Sequence, residues 1–180
     1  LLKTKKIKIE FYEERIKKEI VNGTITKRAL KKGIVASIII SLLIALALIY
    51  LAFGLENVPY ILLFLLLGLL SIWAAITYTV GANAYGYRGM GDLFVFLFFG
   101  LLGVLGSMFL YTKSLGWSSL LPAISIGLLC VAVLNLNNLR DIVSDKKHGK
   151  ITMVVKMGFK NGKRYHFLLI FMAHLLLTSK

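Results

Sequence analysis

Two carboxylates, Asp141 and Asp145, stand four residues apart just after a long apolar run. The amide of Asn138 precedes the first by three residues, within NLNNLRDIVSDKKHGK, residues 135–150. On a helix these offsets place all three side chains on one face. Like charges at this spacing weaken a bare helix by roughly 0.2–0.5 kcal/mol. A membrane boundary worsens the repulsion unless a cation compensates it. Lys146, Lys147 and Lys150 follow at once. Acids that can hold a metal beside bases that can hold an anion suggest a metal–diphosphate site at the end of a membrane helix. Magnesium suits such a site, because it commonly binds through one or two carboxylates plus substrate phosphates. Asn138 can add a neutral oxygen or a hydrogen bond. Asn135 extends the face one turn deeper, where an unpaired amide is costly; a helix–helix hydrogen bond and a substrate contact both account for it. Arg140 falls about 100° around the helix from Asp141, open to a neighbouring helix or to a phosphate. The same cluster also reads as a solvated loop with ordinary salt bridges, and spacing alone does not choose.

A second unusual stretch is YTVGANAYGYRGMGD, residues 78–92. Gly81, Gly86, Gly89 and Gly91 make it flexible and tight, while Tyr78, Tyr85, Tyr87, Arg88 and Asp92 add polar chemistry at a membrane edge. One reading is an interfacial aromatic belt with a topology-setting arginine. The other is a loop that folds over a ligand and offers Arg88 to an anion. GYRGMG superficially resembles a phosphate-binding glycine loop, but no strand precedes it, which argues against a nucleotide site.

The elements that must position these residues are membrane spans. The chain is 58% hydrophobic with a mean hydropathy of +0.79, too apolar for an ordinary soluble domain. Residues 34–54, 59–80, 93–110 and 118–139 are each long enough to cross a bilayer, which takes about 20 residues. A fifth apolar stretch falls in 165–180. These predict an all-α, multi-pass helical bundle over 34–180, preceded by a cytoplasmic connecting segment, 1–33. The chain opens Leu-Leu without an initiator Met, and we read it as an internal piece of a larger protein.

Finer signals support the outline. Ile9, Tyr12, Ile16 and Ile20 recur at near-helical spacing and predict a short amphipathic helix. Asn22-Gly23 marks a turn. Thr26 is placed to cap the first span, and Pro59 to open the second. Gly100, Gly103 and Gly106 predict close helix packing in the third. Cys130, the single cysteine, lies in mid-span and reads as a small core residue. His148 reads as a solvated loop residue, and neither His166 nor His174 shows a partner in the sequence.

A net charge of +14 could indicate nucleic acid, but its distribution says otherwise. Eleven Lys/Arg fall in 1–33, Arg88 lies in the loop 81–91, and eight fall in 139–164, whereas the intervening loops carry none at 55–58 and only Lys113 at 111–117. This alternation is the positive-inside pattern. It puts the N-terminal segment, the Arg88 loop and the Asp141 loop on the cytoplasmic face.

NNLRDIVSDKKHGK (residues 137–150) resembles the second aspartate-rich motif of the intramembrane aromatic prenyltransferases, the UbiA superfamily. YTVGANAYGYRGMGDLFVFLFFG (residues 78–100) is similar to the 1,4-dihydroxy-2-naphthoate polyprenyltransferases of menaquinone synthesis, and NGTITK (residues 22–27) resembles the segment before their third helix. The likeness covers nearly the whole chain from about residue 20. It implies about nine transmembrane helices around a cavity, of which about five are present here. Two aspartate-rich motifs would bind Mg2+ and a polyprenyl diphosphate, and an aromatic acceptor, 1,4-dihydroxy-2-naphthoate, would receive the prenyl group. By that likeness Asp141 and Asp145 are metal ligands supported by Asn138. Arg88 and Lys150 would hold the diphosphate, Tyr85 or Tyr87 would line its pocket, and Asn135 and Arg140 would contact substrate. The enzyme would sit in the cell membrane with its active-site loops on the cytoplasmic side. The sequence departs from the family in two ways. No Asp precedes Asp92, so the first aspartate-rich motif is missing and these residues alone are expected to be inactive. Ala82 and Ala84 also stand where relatives often carry proline.

Three alternatives remain open at this point. A related enzyme could act on 4-hydroxybenzoate or homogentisate. A cation-coupled transporter would place acids near mid-membrane, whereas every acid here sits at an edge or in a loop. A non-catalytic membrane scaffold could retain the fold.

Overall fold

The structure is a computed structural model that describes residues 26–79 and 84–178. The helix expected at residues 9–20 and the turn at Asn22-Gly23 lie outside the described residues. Every regular element among those described is helical, as lipid demands of a backbone that cannot bond to water.

Helix α1, Lys27–Phe53, starts where Thr26 accepts a hydrogen bond from the Ala29 amide at 3.1 Å. The cap lets the basic residues join the helix, so it begins seven residues before the apolar run. Gly54, at φ 63°, ends it. Asn57 then donates to the Phe53 carbonyl at 2.9 Å, and α2, Val58–Thr79, begins with Pro59 in its first turn. Pro is tolerated there because its missing N–H has no helical partner anyway. After a tight turn at Tyr85–Tyr87, α3 runs over Gly91–Thr112 and stops at Lys113, which adopts a left-handed conformation. A turn at Trp117–Ser119 leads into α4, Leu120–Lys147. Helix α5, Met153–Thr178, is broken at Gly158 (φ 80°, ψ 163°).

The chain divides into two compact units, Leu1–Phe64 and Leu65–Lys180. In the first, the Phe53 ring is buried against Tyr60 and Phe64, with centroids 5.5 and 5.2 Å away. In the second, α4 packs against α3 and α5. Val131, Ala132 and Leu169 are buried there, with Val95, Phe96, Leu128 and Tyr165 against them. Deeper in the span, the buried Ser125 hydroxyl donates to the Ala173 carbonyl at 2.6 Å, a polar tie between helices with no competing water.

Among the described residues, four helices are long and apolar enough to cross a membrane: Arg28–Phe53, Val58–Tyr78, Gly91–Thr112 and Trp117–Lys147. Each overlaps one of the four apolar stretches read from the sequence, the last running on to Lys147. The fifth expected stretch falls in α5, whose first half carries Lys156, Lys160, Lys163 and Arg164 and which is not one of the four. Large side chains along α1, such as Leu43 and Leu51, are exposed, as suits contact with lipid.

Helix α3 departs from regular α geometry, being π-helical over Phe96–Leu105. Of its glycines, Gly100 makes the close approach. A Cβ there would stand 2.4 Å from the Gly127 Cα of α4. Gly100→Ala should therefore force the two backbones apart and cost about 1–3 kcal/mol, read as a lower melting temperature in detergent. Gly68→Ala, where a Cβ meets nothing within 4 Å, should be tolerated.

Candidate functional site

The two unusual sequence stretches meet at one end of the α3, α4 and α5 cluster. Helix α4 runs past its apolar part to Lys147, so Asn138, Asp141 and Asp145 all lie on it, and Lys146 and Lys147 occupy its last turn, where cations complement the helix dipole. The chain then reverses through Gly149 (φ 68°). The Lys150 amide bonds the Asp145 carbonyl at 2.8 Å, and the Ile151 amide bonds the Tyr87 carbonyl at 3.0 Å. Thr152, buried, caps α5 by accepting from the Val155 amide at 3.2 Å. One turn on, the Lys156 ammonium donates to the Arg88 carbonyl at 2.9 Å. The Arg88 turn and the α4–α5 turn therefore face the same side of the membrane. Gly89 is what permits this contact: it adopts φ 79°, and a Cβ would lie 2.7 Å from Lys156 Nζ and 3.0 Å from the Ile151 carbonyl.

Each carboxylate has its own cation. Asp145 is buried, with Lys150 Nζ at 3.3 Å from both of its oxygens. Asp141 is half-exposed, and Arg140 folds back onto it as a fork, Nε to Oδ1 at 2.8 Å and Nη2 to Oδ2 at 2.8 Å. The i, i+4 repulsion is relieved in this way, and Arg140 pairs with its sequence neighbour instead of another helix. The exposed fork adds little stability, since water screens it. The Asp145–Lys150 pair is better shielded. It also rests on the backbone bond between the same two residues, so the lysine is positioned by the turn itself.

Asn138 is buried and lines a close-packed cleft with Tyr78, Gly89, Asp92, Thr152 and Met153. Asn135 is fully buried, and neither end of its amide has a hydrogen-bond partner among the described residues. The helix–helix hydrogen bond that the sequence allowed is thus not made among them. Arg88 is exposed beside this cleft, and Tyr87 is buried. Tyr85 does something else. Its hydroxyl donates to the Ala74 carbonyl at 2.6 Å, and its ring stacks on Phe94 at 3.8 Å and meets Tyr78 edge-on at 5.4 Å. It lines an apolar groove of about 460 Å³ with Ser71, Ala74, Phe94 and Phe98. Burial pushes its phenol up from the usual range, so it remains a donor at neutral pH. His148 closes the end of α4, its Nδ1 2.8 Å from the Ser144 carbonyl.

Asp92, read from the sequence only as a membrane-edge acid, accepts a hydrogen bond from the Tyr165 hydroxyl at 3.1 Å. Nothing local in the sequence signals this contact across 73 residues.

Among the described residues no three His, Cys, Asp or Glu side chains converge. Asp141 and Asp145 would thus give a magnesium ion two carboxylates, leaving other positions to phosphate oxygens and water. That donor set fits the way this ion is commonly held.

A sequence model described as the UbiA prenyltransferase family matches residues 13–179. The chain is 47% identical over 165 residues to the 1,4-dihydroxy-2-naphthoate octaprenyltransferase of Haemophilus influenzae, an overlap that covers 91% of this chain and 53% of the relative. With the protein of the same description from Escherichia coli it shares 47% identity over 148 residues, covering 82% and 47%. For that of Mycobacterium tuberculosis the figures are 43% over 91 residues, 51% and 31%. The chain thus spans about half the length of the first two of these curated relatives. No solved structure matches it.

Two substitutions test the packing of this region. Gly89→Ala should destabilise the full-length protein by about 1–3 kcal/mol, through left-handed strain and displacement of Lys156. Asn135→Leu should raise stability, because it removes a buried amide whose unmet bonds cost roughly 1–3 kcal/mol. Thermal unfolding in detergent reads both. An unchanged or lowered melting temperature for Asn135→Leu would contradict that cost.

Proposed function

This chain belongs to the UbiA prenyltransferase family, and from that premise we propose that the full-length protein transfers a polyprenyl group from its diphosphate to 1,4-dihydroxy-2-naphthoate. The product would be the prenylated 1,4-naphthoquinol, formed as the acceptor's carboxylate leaves as CO2 and diphosphate departs; its two-electron oxidation by a separate oxidant gives demethylmenaquinone. The observation that carries the reading is the meeting of two cation-bearing turns, held by Ile151–Tyr87 and Lys156–Arg88, beside the Asp145 carboxylate. The names of these relatives, all 1,4-dihydroxy-2-naphthoate octaprenyltransferases, support the choice of acceptor.

In this reading Asp141 and Asp145 hold Mg2+, with Asn138 in support. When bound, that ion supplies positive charge against the departing diphosphate. Arg88, Lys150 and Arg140 are the chain's own cations for the phosphate oxygens. Their fixed charge is complementary to the charge that develops as the allylic C–O bond breaks, which is how such groups lower a barrier. The groove beneath Tyr85 is lined almost wholly by apolar and aromatic side chains. We assign it to the isoprenoid, whose allylic carbon gains positive character that ring faces favour. Excluding water there lets the electron-rich ring of the acceptor attack before hydrolysis. The Lys/Arg bias of the sequence supports a cytoplasmic position for both turns.

A transporter reading is weaker. Among the described residues all the acids, Glu56, Asp92, Asp141 and Asp145, lie in loops or toward helix ends, away from the mid-membrane position an ion-coupling acid would take. An acceptor such as 4-hydroxybenzoate or homogentisate is the second reading within the family, and a product assay separates it.

Membranes bearing the full-length protein should form prenylated naphthoquinol from polyprenyl diphosphate and 1,4-dihydroxy-2-naphthoate. Asp145→Asn should lower turnover by about 100-fold or more, and chelation of divalent ions should abolish it until Mg2+ is restored. Undiminished activity in either case would refute the assignment. Prenylated 4-hydroxybenzoate in place of the naphthoate product would shift it to the second reading.

A further inference from the structure

Asp92 and Tyr165 take no part in the chemistry above, yet they make a close side-chain contact between the two halves of the site. Tyr165 Oη donates to Asp92 Oδ2 at 3.1 Å. Asp92 lies in the first turn of α3, where a carboxylate is favoured by the helix dipole. It shares its cleft with Asn138, Gly86, Gly89 and Thr152. It is thus four residues from Arg88 in sequence and lines the same space as the support for the α4 carboxylates.

The break in α5 gives this contact its purpose. At Gly158 the helix leaves helical geometry, so residues 153–157 and the long segment that follows are two helical pieces rather than one continuous rod. Lys156 lies before the break and bonds the Arg88 carbonyl. Tyr165 lies after it, packed against the Val131, Ala132 and Leu169 core, and bonds Asp92 four residues beyond Arg88. The 84–92 segment is therefore tied to α5 on both sides of that break.

We infer that Asp92 and Tyr165 form a positioning pair that anchors the Arg88 turn to the helix core and so fixes it against the carboxylate end of α4. What Asp92 contributes is an oxygen acceptor at a set place. Its kinetic consequence rests on the prenyl-transfer reading; its structural consequence does not.

The test uses the full-length protein in lipid nanodiscs. Tyr165→Phe keeps the core ring and deletes only the donor, so the fold should survive. Asp92→Leu deletes the acceptor, and Asp92→Asn retains an oxygen for Tyr165. Hydrogen exchange is followed at residues 84–91 and at Ile151, whose amide bonds Tyr87. Steady-state kinetics are measured with polyprenyl diphosphate. Tyr165→Phe and Asp92→Leu should each speed exchange in both segments. Each should raise KM for the diphosphate roughly tenfold, with kcat within about threefold of wild type. The double variant should be no worse than either single one, because both remove one interaction, and Asp92→Asn should stay near wild type. Unchanged exchange in both variants would overturn the pair. So would a fall in kcat at constant KM, or an Asp92→Asn as damaged as Asp92→Leu. If the wild-type protein transfers no prenyl group, the functional reading fails on its own and the exchange result alone decides the pair.

Discussion

The Ile151 amide bonding the Tyr87 carbonyl is the constraint on which the site depends. It joins two turns that lie far apart in sequence at the rim of a membrane, where an unpaired backbone group is costly. Once it forms, Lys156 reaches the Arg88 carbonyl, and Gly89 must remain without a side chain. The Lys150 amide meanwhile closes the end of α4 onto the Asp145 carbonyl. A loop carrying an arginine and a helix end carrying two carboxylates thereby become one surface.

Charge on that surface is balanced locally. Asp141 and Asp145 could not share one face of a helix cheaply without compensation, and each receives a separate cation from the adjoining sequence. Both partners are positioned by the main chain near their acid. Arg140 is the neighbour of Asp141, and Lys150 returns to Asp145 through a backbone bond. Two acids and their cations at a membrane edge make a region that can exchange one ionic partner for another. A diphosphate with a divalent ion asks for that property, because each component brings the opposite charge to the groups already paired.

Much of the outline is legible in the sequence because it depends on local rules. The four spans follow from apolar length, the start of α1 from Thr26, and the start of α2 from Pro59. The shared membrane side of the Arg88 and Asp141 loops follows from the count of spans between them. What was not legible depends on contacts between distant residues. Gly100 stood out by spacing, but its partner Gly127 did not, since a single glycine in a span carries no signal. The resemblance puts Tyr85 or Tyr87 at the diphosphate pocket, but gives no sign that Tyr85 bonds to Ala74 and stacks on Phe94, as a tyrosine at an interface can while burying its ring. Arg140 was open to several partners because angle along a helix ignores the reach of a long side chain. The π-helical stretch of α3 has no sequence cue that we recognise.

In the proposed reaction the Arg88 turn and the α4 carboxylates grip one diphosphate together. A double-mutant cycle on polyprenyl diphosphate binding, with Mg2+ and the full-length protein, tests this directly by calorimetry on wild type, Arg88→Gln, Asp145→Asn and the double variant. A coupling above about 1 kcal/mol is expected of groups that act on one ligand. Effects that add within about 0.3–0.5 kcal/mol would show two independent surfaces and contradict it.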